Sequence, residues 1–414
     1  MAKGKQQQNA KQPPNPKRQR YMMKRSNLPG TLCDNVSSMN AAVTALRSSS
    51  YIVCDCEGVD LGSQGGGLSI IQLAALPSED NPDPPVFLID AIALSDAKLQ
   101  PVYKLLRSET HTKIMYDARS DWSEFYHRHG VELTHVLDLQ LADIDSRTVR
   151  GETQEQQLER LPPYCSAEEI KNYRALYTMV QRLKGLGPCT VEHGVVGPDE
   201  KGKPNYFPHN KWGERPLWKK HILYAVKDIQ LISKLFLLFS QKGYIDEAKL
   251  LAQSERYMSL RRDALVPANF GHPLLPLEIM DAPPARAARQ ACKACNRELA
   301  LPCFPRKAGE EGTAQTCLVC CAVFVHEAEI RAKQEAQREK QRKKNEEKIK
   351  RDAERLSAQM LESSASSSSR ARPGIGYSHG IYAERDADGS YGIFGYDDED
   401  TPGGTYYRDM YDSD

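Results

Sequence analysis

Acidic residues recur in this chain where apolar runs end. Asp55 and Glu57 close the run Tyr51-Ile52-Val53-Cys54, two positions apart. Asp121 follows Lys113-Ile114-Met115-Tyr116, and Tyr224 and Asp228 lie four apart in Tyr224-Ala225-Val226-Lys227-Asp228. Four acids from three distant segments are what a two-metal phosphodiester-cleaving site needs. Shared carboxylates hold two divalent cations about 4 Å apart, and hard oxygen ligands suit Mg²⁺ or Mn²⁺. Alternate residues of a strand share a face, so Asp55 and Glu57 project to one side and Cys54 and Cys56 to the other. Burying two acids on an otherwise apolar strand demands a cation. Tyr224 and Asp228 share a helix face. Taken singly each has a plainer reading: an exposed edge for the acid pair, a core aromatic for Tyr224.

A second set of chemically active residues lies far downstream. Of eleven cysteines, six fall between 292 and 321. Cys292-Lys293-Ala294-Cys295 and Cys317-Leu318-Val319-Cys320 form two Cys-x-x-Cys pairs with 21 residues between them. Thiolate pairs at about this spacing suit one tetrahedral Zn²⁺, and so short a segment needs a staple to fold. Cys303, Cys321 and His326 are further possible ligands. The uneven placement fits a reducing compartment and a metal cluster better than a disulfide framework.

The elements that must position the acids follow from periodicity. A short helix is expected over 38–48. Strands are expected at 51–56 and 68–75, then 86–90, 113–116 and 135–137. The loop Gly62-Ser63-Gln64-Gly65-Gly66-Gly67 lacks the Gly-Lys-Ser/Thr ending of a phosphate-binding loop. It reads as a hairpin connection whose small residues let a nucleic-acid strand pass close to the backbone. Helices are expected over 99–107, from about 120, and over 167–184, 217–239 and 246–264. Three meandering strands followed by alternating helix and strand give an α/β fold: a ribonuclease H-like mixed sheet with flanking helices. Residues 150–210 read as a substrate-side insertion.

These elements set the domain plan. A basic arm, 1–28, reads as disordered, and its Pro16-Lys17-Arg18-Gln19-Arg20 suits either a nuclear localisation signal or a solvated arm. The α/β domain spans 29–265, a Pro-rich linker 266–288 and the zinc-binding module 289–325. A charged helix over 326–362 follows, read as solvated and laced with ion pairs rather than as a coiled coil. A Ser-, Gly-, Tyr- and Asp-rich tail, 363–414, reads as disordered and as a possible protein-binding segment. Mean hydropathy is −0.59 and 40% of residues are hydrophobic, which suits one packed domain with long polar segments. No run of about 18 apolar residues exists, so no membrane partner is expected, and the N-terminus lacks the apolar core of a secretory signal.

Several segments resemble the DEDD-type 3′–5′ exonucleases, in the branch related to ribonuclease D and the Werner-type exonuclease. Besides the acids, they are Leu68-Ser69-Ile70-Ile71-Gln72-Leu73-Ala74, Val136-Leu137-Asp138-Leu139-Gln140-Leu141-Ala142, and Trp212-Gly213-Glu214-Arg215-Pro216-Leu217 followed by Tyr224-Ala225. The wording Asp55-Cys56-Glu57-Gly58-Val59 is closest to the Egalitarian-like subgroup. The zinc segment resembles treble-clef modules. The resemblance covers roughly 30–260 and implies a metal set of Asp55, Glu57, Asp121 and Asp228. Tyr224 would hydrogen-bond the attacking water, as in the DEDDy branch, and Asp117 would be a turn or N-cap residue. It further implies that hydrolysis releases nucleoside 5′-monophosphates from a 3′ end, one cation activating water and the other stabilising the leaving oxygen. The expected partner is nucleic acid with a free 3′ end, RNA favoured over DNA, with Lys113, Arg119, Arg215 and Lys219 as candidate phosphate contacts. Protein partners would dock on the zinc module and the acidic, Tyr-rich tail, in the nucleus in preference to the cytoplasm. The competing reading is an RNA-holding adaptor with weak or lost hydrolysis.

Overall fold

The apolar runs become the strands of a six-stranded sheet, in a computed structural model that describes residues 29–162, 164–197, 208–267, 271–306 and 314–367. In chain order these are β1 (Thr31–Cys33), helix α1 (Val36–Leu46), β2 (Tyr51–Val59), β3 (Gly67–Ala75) and β4 (Phe87–Asp90). Then come α2 (Asp96–Leu106), β5 (Thr112–Met115), α3 (Arg119–His129), β6 (Val136–Asp138) and α4 (Leu139–Val149). The sheet order is β1-β4-β3-β2-β5-β6, and β3 alone runs antiparallel to its neighbours. This is the mixed, ribonuclease H-like sheet expected from the sequence. The expected pattern omitted β1, which is too short to show a period and owes its extended form to pairing with β4.

Alternation along β2 divides the core. Ile52, Cys54 and Cys56 pack on one face with α1, α2 and α3, through Met39, Val102, Trp122 and Phe125. Val53 faces the other side, in a cluster with Leu141, Val226, Ile229, Leu235 and Tyr257. Asp55 and Glu57 follow the parity of Val53 and so point to this second face.

The segment after α4 departs from the expected long helix over 167–184. It forms α5 (Gln154–Leu158), α6 (Ala167–Asn172), α7 (Arg174–Tyr177), the two-residue strand β7 (Gln181–Arg182) and α8 (Leu186–Glu192). Tyr173 leaves helical geometry at φ −120° and breaks the run. Beyond Tyr177 the chain extends to pair with Leu274 and Leu275. There follow α9 (Lys219–Gln241), α10 (Glu247–Ser259), β8 (Leu274–Leu275) and α11 (Leu277–Met280). The Pro-rich stretch expected as a linker is therefore partly domain. Leu275 and Ile279 sit in the second-face core, and β8 pairs antiparallel with β7.

Beyond these lie the antiparallel strands β9 (Arg289–Ala291) and β10 (Glu298–Ala300), and the 50-residue helix α12 (Leu318–Ser367). Among the described residues two units result, one up to residue 322 and one over 323–367. The basic arm, including Pro16–Arg20, and the tail beyond Ser367 lie outside the described residues.

A buried charge network closes the second face. Asp143 on α4 accepts from Arg147 Nη2 at 2.7 Å and pairs with His193 Nε2 at 2.8 Å. Burial pushes the Asp143 carboxyl up, but the His193 hydrogen bond and the charges of Arg147 and Lys184 outweigh it and hold it well below the usual range. Asp143→Asn is expected to strand the Arg147 guanidinium, at 1% exposure, and cost about 3–5 kcal/mol in chemical denaturation. A depressed carboxyl stabilises fully above its unfolded value of about 3.9. The gap between wild type and Asp143→Asn should therefore narrow only as pH falls below that value.

Candidate active site

Strand β2 is hydrogen-bonded on both sides, to β3 and β5, so its backbone is held where Asp55 and Glu57 leave it. The β2–β3 register shifts between Glu57 and Gly58. Such a bulge re-aims the side chain beside it. A Cβ at Gly58 would lie 2.1 Å from the Gly67 carbonyl, so glycine alone permits this crossing. Across the second face runs α9, which places Asp228 over the strand. Carboxylate oxygens of Asp55, Glu57 and Asp228 lie within 4.8 Å of one another. Glu57 and Asp228 are 9% and 6% exposed, and Asp55 is half-buried.

Asp121 stands outside this cluster. It sits in the first turn of α3, with its carboxyl beside Cys56. Burial pushes its pKa up to about 7, and the charges of Asp117 and Asp138 add to the rise. Its Oδ1 is buried with no hydrogen-bond partner. Tyr224 is half-buried one turn before Asp228, its ring 5.9 Å from His209 and 6.3 Å from Trp212.

Three of the four expected phosphate contacts are spent inside the protein. Lys113 is fully buried, and its ammonium donates to the carbonyls of Ser108 and His111 at 2.6 and 2.7 Å. Burial pulls its pKa down to about 8. Arg215 forms a two-pronged pair with Asp90 at 2.7 and 2.8 Å and also donates to Ser69, Trp212 and Glu214. It joins β3, β4 and the approach to α9. Arg119 clasps Asp117 at 2.6 and 2.8 Å and lies over the Tyr257 ring at 4.5 Å. Lys219 alone of the four is exposed, in the first turn of α9.

Of the two roles expected for it, Asp117 takes the turn and not the N-cap, which is Ala118: it holds φ +56°, with its amide on Asp138. Asp138 is the residue that sequence reasoning missed. Its buried carboxylate accepts from the amides of Asp117, Ala118 and Gln140, locking the β5–α3 turn to the start of α4. Asp at a helix start was the available signal. The glycine loop is likewise turned inward. Glu124 accepts from the amides of Gly62 and Leu68, and a Cβ at Gly62, φ +67°, would lie 2.2 Å from the Ser120 carbonyl. Open space remains at Gly65 and Gly67.

The four cysteines of the paired motifs converge as the spacing predicted. Cys292, Cys295, Cys317 and Cys320 have their sulfurs within 4.8 Å of one another. Asn296, at φ +58°, turns the chain so that its amide reaches the Cys292 carbonyl, and the Cys317 amide donates to Cys292 Sγ at 3.3 Å. Hydrogen bonds from Cys317 and Cys320 hold the Cys295 thiol well down, while the Cys317 thiol is pushed up to about 12. Cys303 and Cys321 fall outside the tetrad, and His326 belongs to the second unit. A third group, Asp143, Cys189 and His193, is the buried ion-pair network.

Comparison with known proteins follows the same lines. Residues 32–161, which carry Asp55, Glu57 and Asp121, match the DNA polymerase A-type 3′–5′ exonuclease family. Residues 32–161 are therefore similar to a 3′–5′ exonuclease domain. Ribonuclease D of Bartonella henselae is 25% identical to this chain over 211 residues, 51% of this chain and 41% of that protein's length. Trypanosoma brucei RNase D in complex with RNA U12 is 20% identical with TM-score 0.39, covering 63% of this chain and 77% of that one. Escherichia coli RNase D is 17% identical with TM-score 0.36, covering 57% and 51%.

The geometry of the exonuclease domain makes two substitutions informative. Lys113→Met should leave the affinity for a single-stranded oligonucleotide in EDTA within about twofold, because its ammonium is committed to carbonyls. Arg215→Met should lower the free energy of unfolding by about 3–5 kcal/mol by stranding buried Asp90, as denaturant titration would read.

Proposed function

We propose that this protein is a divalent-metal-dependent 3′–5′ exonuclease acting on RNA in preference to DNA, nearest to the Egalitarian-like wording of the family. The observation that carries this reading is the convergence of Asp55, Glu57 and Asp228 from β2 and α9. Three carboxylates this close, two of them nearly buried, suit a pair of Mg²⁺ or Mn²⁺ ions and little else, because the like charges otherwise repel at the cost of burial. Asp121, with a buried oxygen lacking a partner, is the fourth ligand in this proposal. When bound, such ions supply an acidified water and stabilise charge on the leaving oxygen.

The chain's own residues do the rest. Tyr224, on the Asp228 face of α9, orients the attacking water through its hydroxyl. Lys219 offers an exposed cation to a phosphate. Open backbone at Gly65 and Gly67 leaves room for a strand to approach. The RNA preference rests on the ribonuclease D relative.

We assign the cysteine tetrad to one Zn²⁺. Four sulfur donors within 4.8 Å fit a tetrahedral soft-metal site, and the zinc neutralises thiolates that otherwise could not all ionise together. The zinc segment and the tail are proposed docking points for protein partners, and Pro16–Arg20 a nuclear address.

The decisive assay uses 5′-labelled RNA and DNA oligonucleotides with Mn²⁺, Mg²⁺ or EDTA. RNA should shorten stepwise from the 3′ end with either metal and not in EDTA. Asp55→Asn and Glu57→Gln should each lower the rate at least about 10²-fold, and Tyr224→Phe about 10²-fold. Tight RNA binding without trimming would instead mark an adaptor. Elemental analysis should find one Zn²⁺ per chain, lost in Cys295→Ser, while Cys321→Ser retains it.

A further inference from the structure

The most strongly charged stretch of the described chain is the exposed part of α12. Between Arg331 and Leu356 it carries 11 basic and 6 acidic residues. A helix turns about 100° per residue, so positions 333, 337, 340, 344, 348, 351 and 355 share one stripe. Six of these are Lys333, Lys340, Lys344, Lys348, Arg351 and Arg355, and the seventh is Gln337. All six acids of the stretch lie off the stripe, among the other five basic residues. The ion pairs form there: Arg342 reaches Glu339 at 2.9 Å and Glu346 at 3.7 Å, and Lys343 reaches Glu339 at 3.5 Å. Among the described residues, Lys340, Lys344, Lys348, Arg351 and Arg355 form no ion pair, and all five are exposed.

We propose that this cationic stripe is a track for the sugar–phosphate backbone of a nucleic acid. A helix solvated merely by intrahelical pairs would alternate its charges around the cylinder. Here no carboxylate falls within the stripe itself, and Glu347 lies just beside it, leaving a cationic row about 33 Å long. Such a row neutralises a linear polyanion and reads no sequence. The other faces carry carboxylates rather than a broad apolar surface, which removes the anchor that a membrane-lying helix requires. The choice of nucleic acid over other polyanions rests on the exonuclease reading of the first unit; the stripe itself does not.

The test uses the full chain in EDTA, where hydrolysis is silent, and fluorescence anisotropy of labelled 30-nucleotide RNA and DNA across a KCl series. One variant combines Lys340→Gln, Lys344→Gln, Lys348→Gln, Arg351→Gln and Arg355→Gln. Its control combines Arg331→Gln, Arg338→Gln, Arg342→Gln, Lys343→Gln and Lys350→Gln, removing the same charge from the other faces. Gln keeps helix propensity, and circular dichroism checks the helix. Each lost phosphate contact on a single strand removes about 0.7 from the slope of log K against log salt. The stripe variant should therefore lose about 2–3 of slope and at least 10-fold in affinity, and the control less than threefold. Equal losses in both, or none in the stripe variant, would overturn the proposal. So would stripe-dependent binding to phosphatidylserine vesicles tighter than to RNA. Dinucleotide trimming by the wild type with Mn²⁺ separates the two readings: its absence, with the slope difference intact, defeats the exonuclease assignment and leaves the track standing.

Discussion

Asp55, Glu57 and Asp228 hold carboxylate oxygens within 4.8 Å of one another, and much of this fold serves to keep them there. Two like charges at about 4 Å repel by about 1 kcal/mol in water and about 4 kcal/mol at the effective dielectric of a protein surface. Two features resist that repulsion. Strand β2 is clamped between β3 and β5, and α9 is anchored by Ala225, Val226, Ile229, Ile232 and Leu235, all buried. Packing holds this charge cluster together, and a divalent ion bound there would convert that cost into affinity.

The surroundings of the cluster are built from ion pairs that chemistry alone would have assigned to substrate. Arg215 holds Asp90 and Ser69 and so ties strands β3 and β4 to the segment leading into α9. Arg119 and Asp117 lock each other beneath Tyr257. Asp138 gathers three amides at the β5–α3 turn. These residues position backbone, and the backbone positions the acids.

The sequence was most legible where period and burial agree. Strands β2 to β6, α9 and α10, the Asp55–Glu57 face and the Tyr224–Asp228 face all follow from alternation or helical spacing. The cysteine tetrad follows from motif spacing. The failures have physical causes. Lys113 lies in a strand whose neighbours all face inward, and its charge masked its complete burial. β1, β7 and β8 are two or three residues long, so only their partners make them strands. Tyr173 breaks a run whose propensity is helical throughout.

The central claim is that the three carboxylates from β2 and α9 bind catalytic cations. Crystals soaked in Mn²⁺ and measured at the manganese absorption edge test it directly. The account predicts an anomalous peak bounded by Asp55, Glu57 and Asp228, absent in Asp55→Asn, with a neighbouring ion drawing in Asp121. Manganese bound elsewhere on the chain with that cluster empty, in crystals of active protein, would contradict it.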